Sequence, residues 1–349
     1  MSLDPPTRTH VPRTVEELDE VLSTPSDKVI EAIKRCPGRM MVLGAGGKMG
    51  FNICQMLHRA QQALGRTEPV IAVSRFSDAA VRNRFASQGI EVHAADLSLR
   101  EEVESLPDAE NVFFLAGVKF GTGSQPELLQ RFNIEMPILV ADRFATSRIV
   151  AMSTGCVYAF TTPESGGSTE GSLVEPPGAY ARSCLGRENA FVTGSLTHGT
   201  RCSLIRLNYA IDLRYGVLVD IARKVRDGQP VNVEMGYVNV IWQRDAVDHI
   251  LQSLPRASSP PLILNVTGKQ VLSVRDLAER FAATFGTTAI IEGSEAPNAW
   301  LSNPARSHQM FGPPHISVDQ MISWIASWLE QGGELLDKPT HFEVRDGTY

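Results

Sequence analysis

The sequence predicts an α/β protein: a doubly wound parallel sheet with a smaller C-terminal lobe and an N-terminal helical arm. Three observations carry this expectation. Short apolar strands alternate with helical patterns from Met40 to Leu207. Several of these strands, Met40–Leu43, Val70–Val73 and Val112–Leu115 among them, are apolar on both faces, as strands covered by helices on either side must be. The turn after the first of them, Gly44–Gly50, is rich in glycine and leads straight into a helix.

Taken in order, residues 1–13 are rich in Pro, Thr and Arg and read as an irregular arm. Thr14 followed by Glu17 has capping-box spacing, and Val15, Leu18, Val21 and Leu22 then share a helical face. A second short helix fits Asp27 to Lys34, ended by Pro37-Gly38. Both helices are expected on the outside of the nucleotide lobe. The strand Met40–Leu43 and its turn precede a helix reaching about Leu64. Next come the strand Val70–Val73, a helix over Ser77–Gln88 and the strand Glu91–Ala94. Val112–Leu115 is a fourth strand, followed by one helix from about Pro126 to Ala145, then a fifth strand at Arg148–Met152. A long loop with Gly166, Gly167, Pro176 and Pro177 leads to a helix through Tyr180–Phe191 and a strand at Ser203–Leu207. Beyond Asn208 the segments shorten, and only Leu262–Val266 reads clearly as another sheet strand. The expected division is an arm (1–38) and a dinucleotide-binding lobe (39–208), its sheet completed within about 238–267. Segments 209–237 and 268–349 then form a substrate lobe. There is no internal repeat and no long low-complexity tract.

Composition narrows the function. The 349 residues are 43% hydrophobic and 21% charged, enough for a sizeable core. Thirty-three Lys and Arg against 39 Asp and Glu give a formal charge of -6, which argues against a nucleic-acid binder working through a basic surface. No apolar run is long enough to span a membrane, and the first ten residues lack an apolar signal segment. The five cysteines show no CxxC spacing and read as reduced thiols of a cytoplasmic protein. The eight histidines have no paired-ligand spacing, so no metal is expected.

A strand, a glycine-rich turn and a helix in succession let the backbone approach a pyrophosphate at the helix N-terminus. Here the turn supplies Gly44, Gly47, Lys48, Met49 and Gly50. Further matches follow in order. Ala95-Asp96-Leu97 comes after the third strand, and Leu115-Ala116-Gly117, with Lys119 just beyond, after the fourth. Asn133 stands within FNIEMP, Ser153-Thr154-Gly155-Cys156-Val157-Tyr158 closes the fifth strand, and Tyr180 follows Pro176-Pro177. From Gly44 to Asn265 the chain resembles the extended short-chain dehydrogenase/reductase family, also called the NAD-dependent epimerase/dehydratase family, whose fold is a Rossmann sheet.

The resemblance implies roles. Asp96 and Leu97 would meet the adenine, and Leu115, Ala116 and Gly117 would line the cofactor, with Lys119 in contact with it. Thr154 would polarise the substrate oxygen and Tyr180 would transfer its proton, assisted by Lys119 and Asn133. Asn208 and Tyr209 would face the substrate, whereas Arg206 reads as structural. Glu164, Glu170 and the Gly166-Gly167 loop read equally as pocket or as solvated surface. Helices near 126–145 and 180–191 would pair two subunits into a homodimer. The expected partner is a small-molecule substrate, with neither nucleic acid nor membrane.

Three departures qualify this. Val73-Ser74-Arg75 places a small neutral residue and a cation where NAD-specific members carry an acid, so the cofactor is NAD or NADP, with Arg75 favouring NADP. The lysine four residues after the tyrosine is replaced by Cys184. A tyrosine with its ordinary pKa near 10 is only about 0.1% ionised at pH 7 without such a cation. Arg187 shares the Tyr180 face but starts about 10 Å further along the axis, so Lys119 is the preferred substitute. Third, Val238 occupies the position of an arginine that meets the diphosphate of nucleotide sugars, which disfavours such substrates. The resulting expectation is an NAD(P)-dependent oxidoreductase, epimerase or dehydratase acting on a non-nucleotide carbohydrate, polyol, sugar acid or related carbonyl compound. The rival reading is a cofactor-binding regulatory or assembly protein without turnover.

Overall fold

The computed structural model describes residues 11–118, 126–338 and 340–345. Its centre is a seven-stranded sheet in which every neighbouring pair is parallel. Strands β1 (Met40–Leu43), β2 (Ile71–Ser74) and β3 (Glu91–Ala94) run outward to one edge. The chain then returns to the other side of β1 with β4 (Asn111–Phe114), β5 (Arg148–Thr154) and β6 (Arg201–Leu207), and Leu262–Val266 forms the far edge. The winding therefore reverses between β1 and β4, and ligands of such sheets bind in the crevice beyond the strand C-termini at that point.

The connecting helices are α3 (Gly50–Ala63), α4 (Ala79–Ala86), α5 (Arg100–Glu104), α6 (Pro126–Gln130), α7 (Met136–Arg143) and α8 (Gly178–His198). One face of the sheet packs a core including Val42, Ile53, Phe113, Val150 and Leu264, and the other packs Leu43, Phe114, Val140, Phe144 and Phe191. The expected single helix over 126–145 is interrupted at Arg131–Glu135 by one wide π-helical turn. Pro137, at the start of α7, explains it: without an N–H it cannot donate to the carbonyl four residues back, and its ring crowds that turn.

The smaller lobe collects α9 (Val217–Arg226), α11 (Val274–Phe285) and α13 (Val318–Glu330) around Trp242, Trp324 and Trp328. The helices α10 (Gln243–Ser253) and α12 (Ala305–Phe311) lie against the sheet core. Among the described residues no helix is long and apolar enough to cross a membrane.

Of the two arm helices, α2 (Asp27–Lys34) turns its apolar face to the sheet lobe as expected and α1 (Val15–Ser23) does not. Helix α1 buries Leu18 and Leu22 in the core of the smaller lobe, whereas α2 buries Val29 and Ile33 in the sheet core. Each fully buried leucine or isoleucine contributes about 1.5–3 kcal/mol, which anchors α1 to the smaller lobe and α2 to the sheet core. Asp19 of α1 pairs with Arg84 after β2 and with Arg214 ahead of α9. The capping box also differs in detail. Thr14 accepts from the Glu17 N–H as expected, but the Glu17 carboxylate reaches back to the N–H of Arg13 rather than Thr14.

Candidate active site

The glycine-rich turn is fixed by its neighbours. The N–H groups of Gly44 and Ala45 both donate to the Val73 carbonyl at the end of β2, at 2.8 and 3.0 Å. Gly44 has φ +83°, and a Cβ there would lie 2.6 Å from the Ala116 nitrogen. A Cβ on Gly50 would lie 2.1 Å from the Ala45 carbonyl oxygen, so only glycine lets α3 start this close to the turn. Helix α3 has no side-chain cap: Met49 holds the capping position, and no side chain accepts from the first-turn N–H groups. A cradle that a side chain would fill, at an uncapped helix N-terminus, fits the pyrophosphate of a dinucleotide.

The other expected cofactor contacts surround that turn at the strand ends. Ser74 closes β2 beside Gly46, and the exposed Arg75 follows it. Asp96 follows β3, with Leu97 buried beside it. Burial alone would raise the Asp96 pKa, but the Ser98 hydroxyl and N–H donate to its carboxylate at 2.6 and 2.9 Å, and Arg131 and Arg75 stand near. Together they hold it below the usual range. Leu115, Ala116 and Gly117 leave β4 against the turn, whereas Lys119 lies outside the described residues.

A cavity of about 220 Å³ opens beyond the turn, between the sheet and the smaller lobe. Lys48 and Met49 of the turn line it, as do Thr154, Tyr180, Asn208 and Tyr209. Six of the expected site residues are thus brought together from separate elements: Lys48 and Met49 before α3, Thr154 at the end of β5, Tyr180 in the first turn of α8, and Asn208 and Tyr209 after β6. Thr154 accepts from the Cys156 N–H at 3.2 Å. Asn208 is held by bonds from its amide to Asn239 at 2.8 Å and to the Trp300 carbonyl at 3.2 Å. Val238 is fully buried in the core of the smaller lobe. Glu170 accepts from the Asn265 N–H at the edge strand, so it serves the scaffold, and neither it nor Glu164 lines the cavity. Arg206 pairs with buried Glu188 and is structural, as expected.

The proton chemistry around Tyr180 is altered by Cys184. Burial pushes the Tyr180 phenol well above its ordinary value, and the adjoining Cys184 thiol, hydrogen-bonded to it, adds to the rise; Arg187 works against it. Burial likewise pushes the Cys184 thiol up, in spite of Arg187. All five cysteines are buried and free, and Cys184 offers neither a cation nor a thiolate.

Arg187 is the cation near Tyr180 that the axial distance hid. Long helical side chains point back toward the N-terminus, which returns the guanidinium toward Tyr180. It donates to the Met152 carbonyl at 3.2 Å and to Asn133 Oδ1 at 2.7 Å, while its Nε is buried without a partner. Room for it exists only because residue 117 is glycine, where a Cβ would lie 2.1 Å from the guanidinium. That glycine, read together with an arginine on the tyrosine face, is the signal that reveals the pair in sequence. Asn133 is fully buried and does not line the cavity. It binds the backbone of Val118 in both directions at 2.9 Å and donates to Ser183 Oγ at 2.8 Å, so the structure places it in the scaffold under the end of β4.

Residues 40–209 match the model of the NAD dependent epimerase/dehydratase family. This stretch of the chain belongs to that family. The epimerase/dehydratase family is one of enzymes that work with NAD(P). Solved structures agree on the fold over both lobes. Pal from Bacillus thuringiensis is similar at a TM-score of 0.68 and 16% identity, covering 84% of this chain and 99% of that one. UDP-glucose 4-epimerase from Thermotoga maritima, solved with UDP-glucose, gives 0.68 and 15% over 84% and 99% of the two chains. UDP-glucuronic acid 4-epimerase from Bacillus cereus, in complex with NAD, gives 0.69 and 15% over the same shares. No curated protein matches the sequence significantly. In this chain the tyrosine and hydroxyl residues share the cavity, while the lysine position is a buried thiol and Arg187 is a buried cation near Tyr180.

Proposed function

We propose that the chain is an NAD(P)-dependent oxidoreductase, or an epimerase or dehydratase working through transient oxidation, acting on a small non-nucleotide carbohydrate, polyol, sugar acid or related carbonyl compound. The observation that carries this reading is the shared cavity: Thr154 and Tyr180 line it together with Lys48 and Met49 of the glycine-rich turn. A bound nicotinamide supplies the hydride chemistry there. The chain's own residues hold and orient the substrate: Thr154 offers its hydroxyl to the reacting oxygen, and Asn208 and Tyr209 line the same cavity.

The substrate class follows from size and charge. The Thermotoga epimerase binds UDP-glucose, but here Val238 is apolar and fully buried, so it cannot pair a diphosphate. Ser74 and the exposed Arg75 support NADP over NAD, since a guanidinium pairs a ribose phosphate and β2 ends in Val73-Ser74-Arg75 without the acidic residue that grips two ribose hydroxyls. Ile138 on α7 and Leu196 on α8 are exposed apolar residues on the helices that the family resemblance assigns to a homodimer.

The test is a screen of sugars, polyols, sugar acids and carbonyl compounds for a change in nicotinamide absorbance, with UDP-sugars alongside. Turnover confined to UDP-sugars would overturn the substrate class. Thr154→Val keeps the shape but removes the hydroxyl, and is expected to lower kcat by about 100-fold with little change in dinucleotide affinity, measured by steady-state kinetics and calorimetry. The buried thiol beside Tyr180 favours one rival, a binding protein without turnover. Cys184→Lys separates the two readings. A gain of activity on ordinary family substrates means that standard chemistry has been lost, and loss of an existing activity means that this site is adapted to cysteine.

A further inference from the structure

Lys48 leaves the glycine-rich turn and crosses to the smaller lobe. Its Nζ donates to the Ala210 carbonyl at 3.3 Å and lies 3.9 Å from the centre of the Tyr215 ring, on the cavity wall that also carries Tyr209. The amine is thus held at the cavity rather than over the N–H groups of the turn. We propose that Lys48 is the proton-transfer residue of this cavity, taking the proton of the substrate hydroxyl at Nζ and returning it. The proposal rests on the functional reading above and deepens it by assigning the acid–base group.

The step balances simply. The substrate O–H bond breaks, its electron pair stays on oxygen, and an N–H bond forms as the neutral amine becomes ammonium; the reverse step returns the proton. Tyr180 is unsuited to accept it, because its phenol is buried beside a thiol. Lys48 has the opposite surroundings. Burial pulls its pKa down to about 8, Asp212 and Asp220 resist that fall, and Arg214 assists it. The titratable and charged groups facing it are Asp212, Arg214 and Tyr215 ahead of α9 and Asp220 on α9. From the other elements come Tyr209 after β6, Tyr180 on α8, Cys156 after β5 and His341 of the C-terminal segment. Asp220 is itself engaged by Thr340, which donates through its N–H at 2.8 Å and its hydroxyl at 2.6 Å, so it stays fixed while the amine titrates. A group that titrates near working pH is the one best able both to accept and to release a proton.

The experiment has two readouts on the full-length chain. In the protein without ligand, the lysine side chains are labelled with carbon-13 at Cε and titrated by NMR, the Lys48 resonance being identified by its loss in Lys48→Met. The expected midpoint lies near pH 8, about two units below the ordinary lysine value. With dinucleotide and a substrate from the screen, Lys48→Met is expected to lose about 100-fold in kcat while dinucleotide Kd changes less than about threefold, because the turn binds through main-chain N–H groups. Lys48→Arg keeps a charge but cannot release its proton, so it should not restore turnover, and the limb of the kcat profile near pH 8 should vanish in both variants. A Lys48 resonance titrating at the ordinary lysine value, unchanged kcat in Lys48→Met, or a limb that follows His341→Asn instead would each overturn the proposal. Failure of the wild-type chain to bind any dinucleotide by calorimetry overturns the functional reading itself, and is thereby told apart from failure of Lys48 alone.

Discussion

Gly50→Ala is expected to weaken dinucleotide binding by at least about 100-fold, a loss of about 3 kcal/mol. The added Cβ would lie 2.1 Å from the Ala45 carbonyl oxygen and 2.6 Å from the Ala45 Cα. These are backbone atoms, so relief requires the turn itself to move away from the start of α3. The N–H groups that would hold a pyrophosphate then lose their common aim. Gly171→Ala is the control, since a Cβ there meets nothing within 4 Å and its φ is ordinary. Calorimetric titration of both variants with NADPH checks this, and equal affinities would show that the cofactor does not lie on the turn.

The second large effect concerns stability beneath the cavity. Arg206 grips Glu188 with two bonds, Nε to Oε1 at 2.9 Å and a terminal nitrogen to Oε2 at 2.7 Å, and both side chains are about 4% exposed or less. The same arginine donates to the Tyr158 hydroxyl at 2.7 Å, and Ser153 beside Thr154 donates to Glu188 at 2.5 Å. Arg206→Met leaves Glu188 charged, buried and unpaired, which costs about 3–5 kcal/mol. At about 1.4 °C per kcal/mol for a chain of this size, Tm should fall by roughly 4–7 °C. Arg206→Met with Glu188→Leu removes the stranded charge and should recover most of that loss. A single variant that melts with the wild type would show that the pair contributes nothing to the support of β5.

The sheet was legible because its strands carry their own signal. Met40–Leu43, Glu91–Ala94 and Leu262–Val266 are found at the bounds that their apolar runs and flanking turns suggest. Helix α8 was read only to Phe191 and reaches His198. Gly186 and Gly194 weaken its local helical preference, yet they let Ile134 and Ala141 pack at short range, a tertiary gain that no local window contains. The place of α1, unlike that of α2, differs from the expectation for a similar reason: its apolar face shows that it is buried, not which lobe buries it.

In the site, the residues named from motif order, Thr154 and Tyr180, meet at one cavity. What stayed hidden depends on long side chains. Arg187 returns down its helix to Gly117, and Lys48 leaves the turn on which its backbone sits. Spacing along the chain describes where a Cα lies, whereas several rotatable bonds decide where a cation ends.

The central claim is that the glycine-rich turn and its cavity form a working NAD(P) site despite the thiol at the lysine position. Titration of the cofactor-stripped chain with NADPH and with NADH, followed by calorimetry and nicotinamide fluorescence, tests it most directly. Micromolar binding with NADPH the tighter is the expected result. No binding of either at millimolar concentration would contradict it.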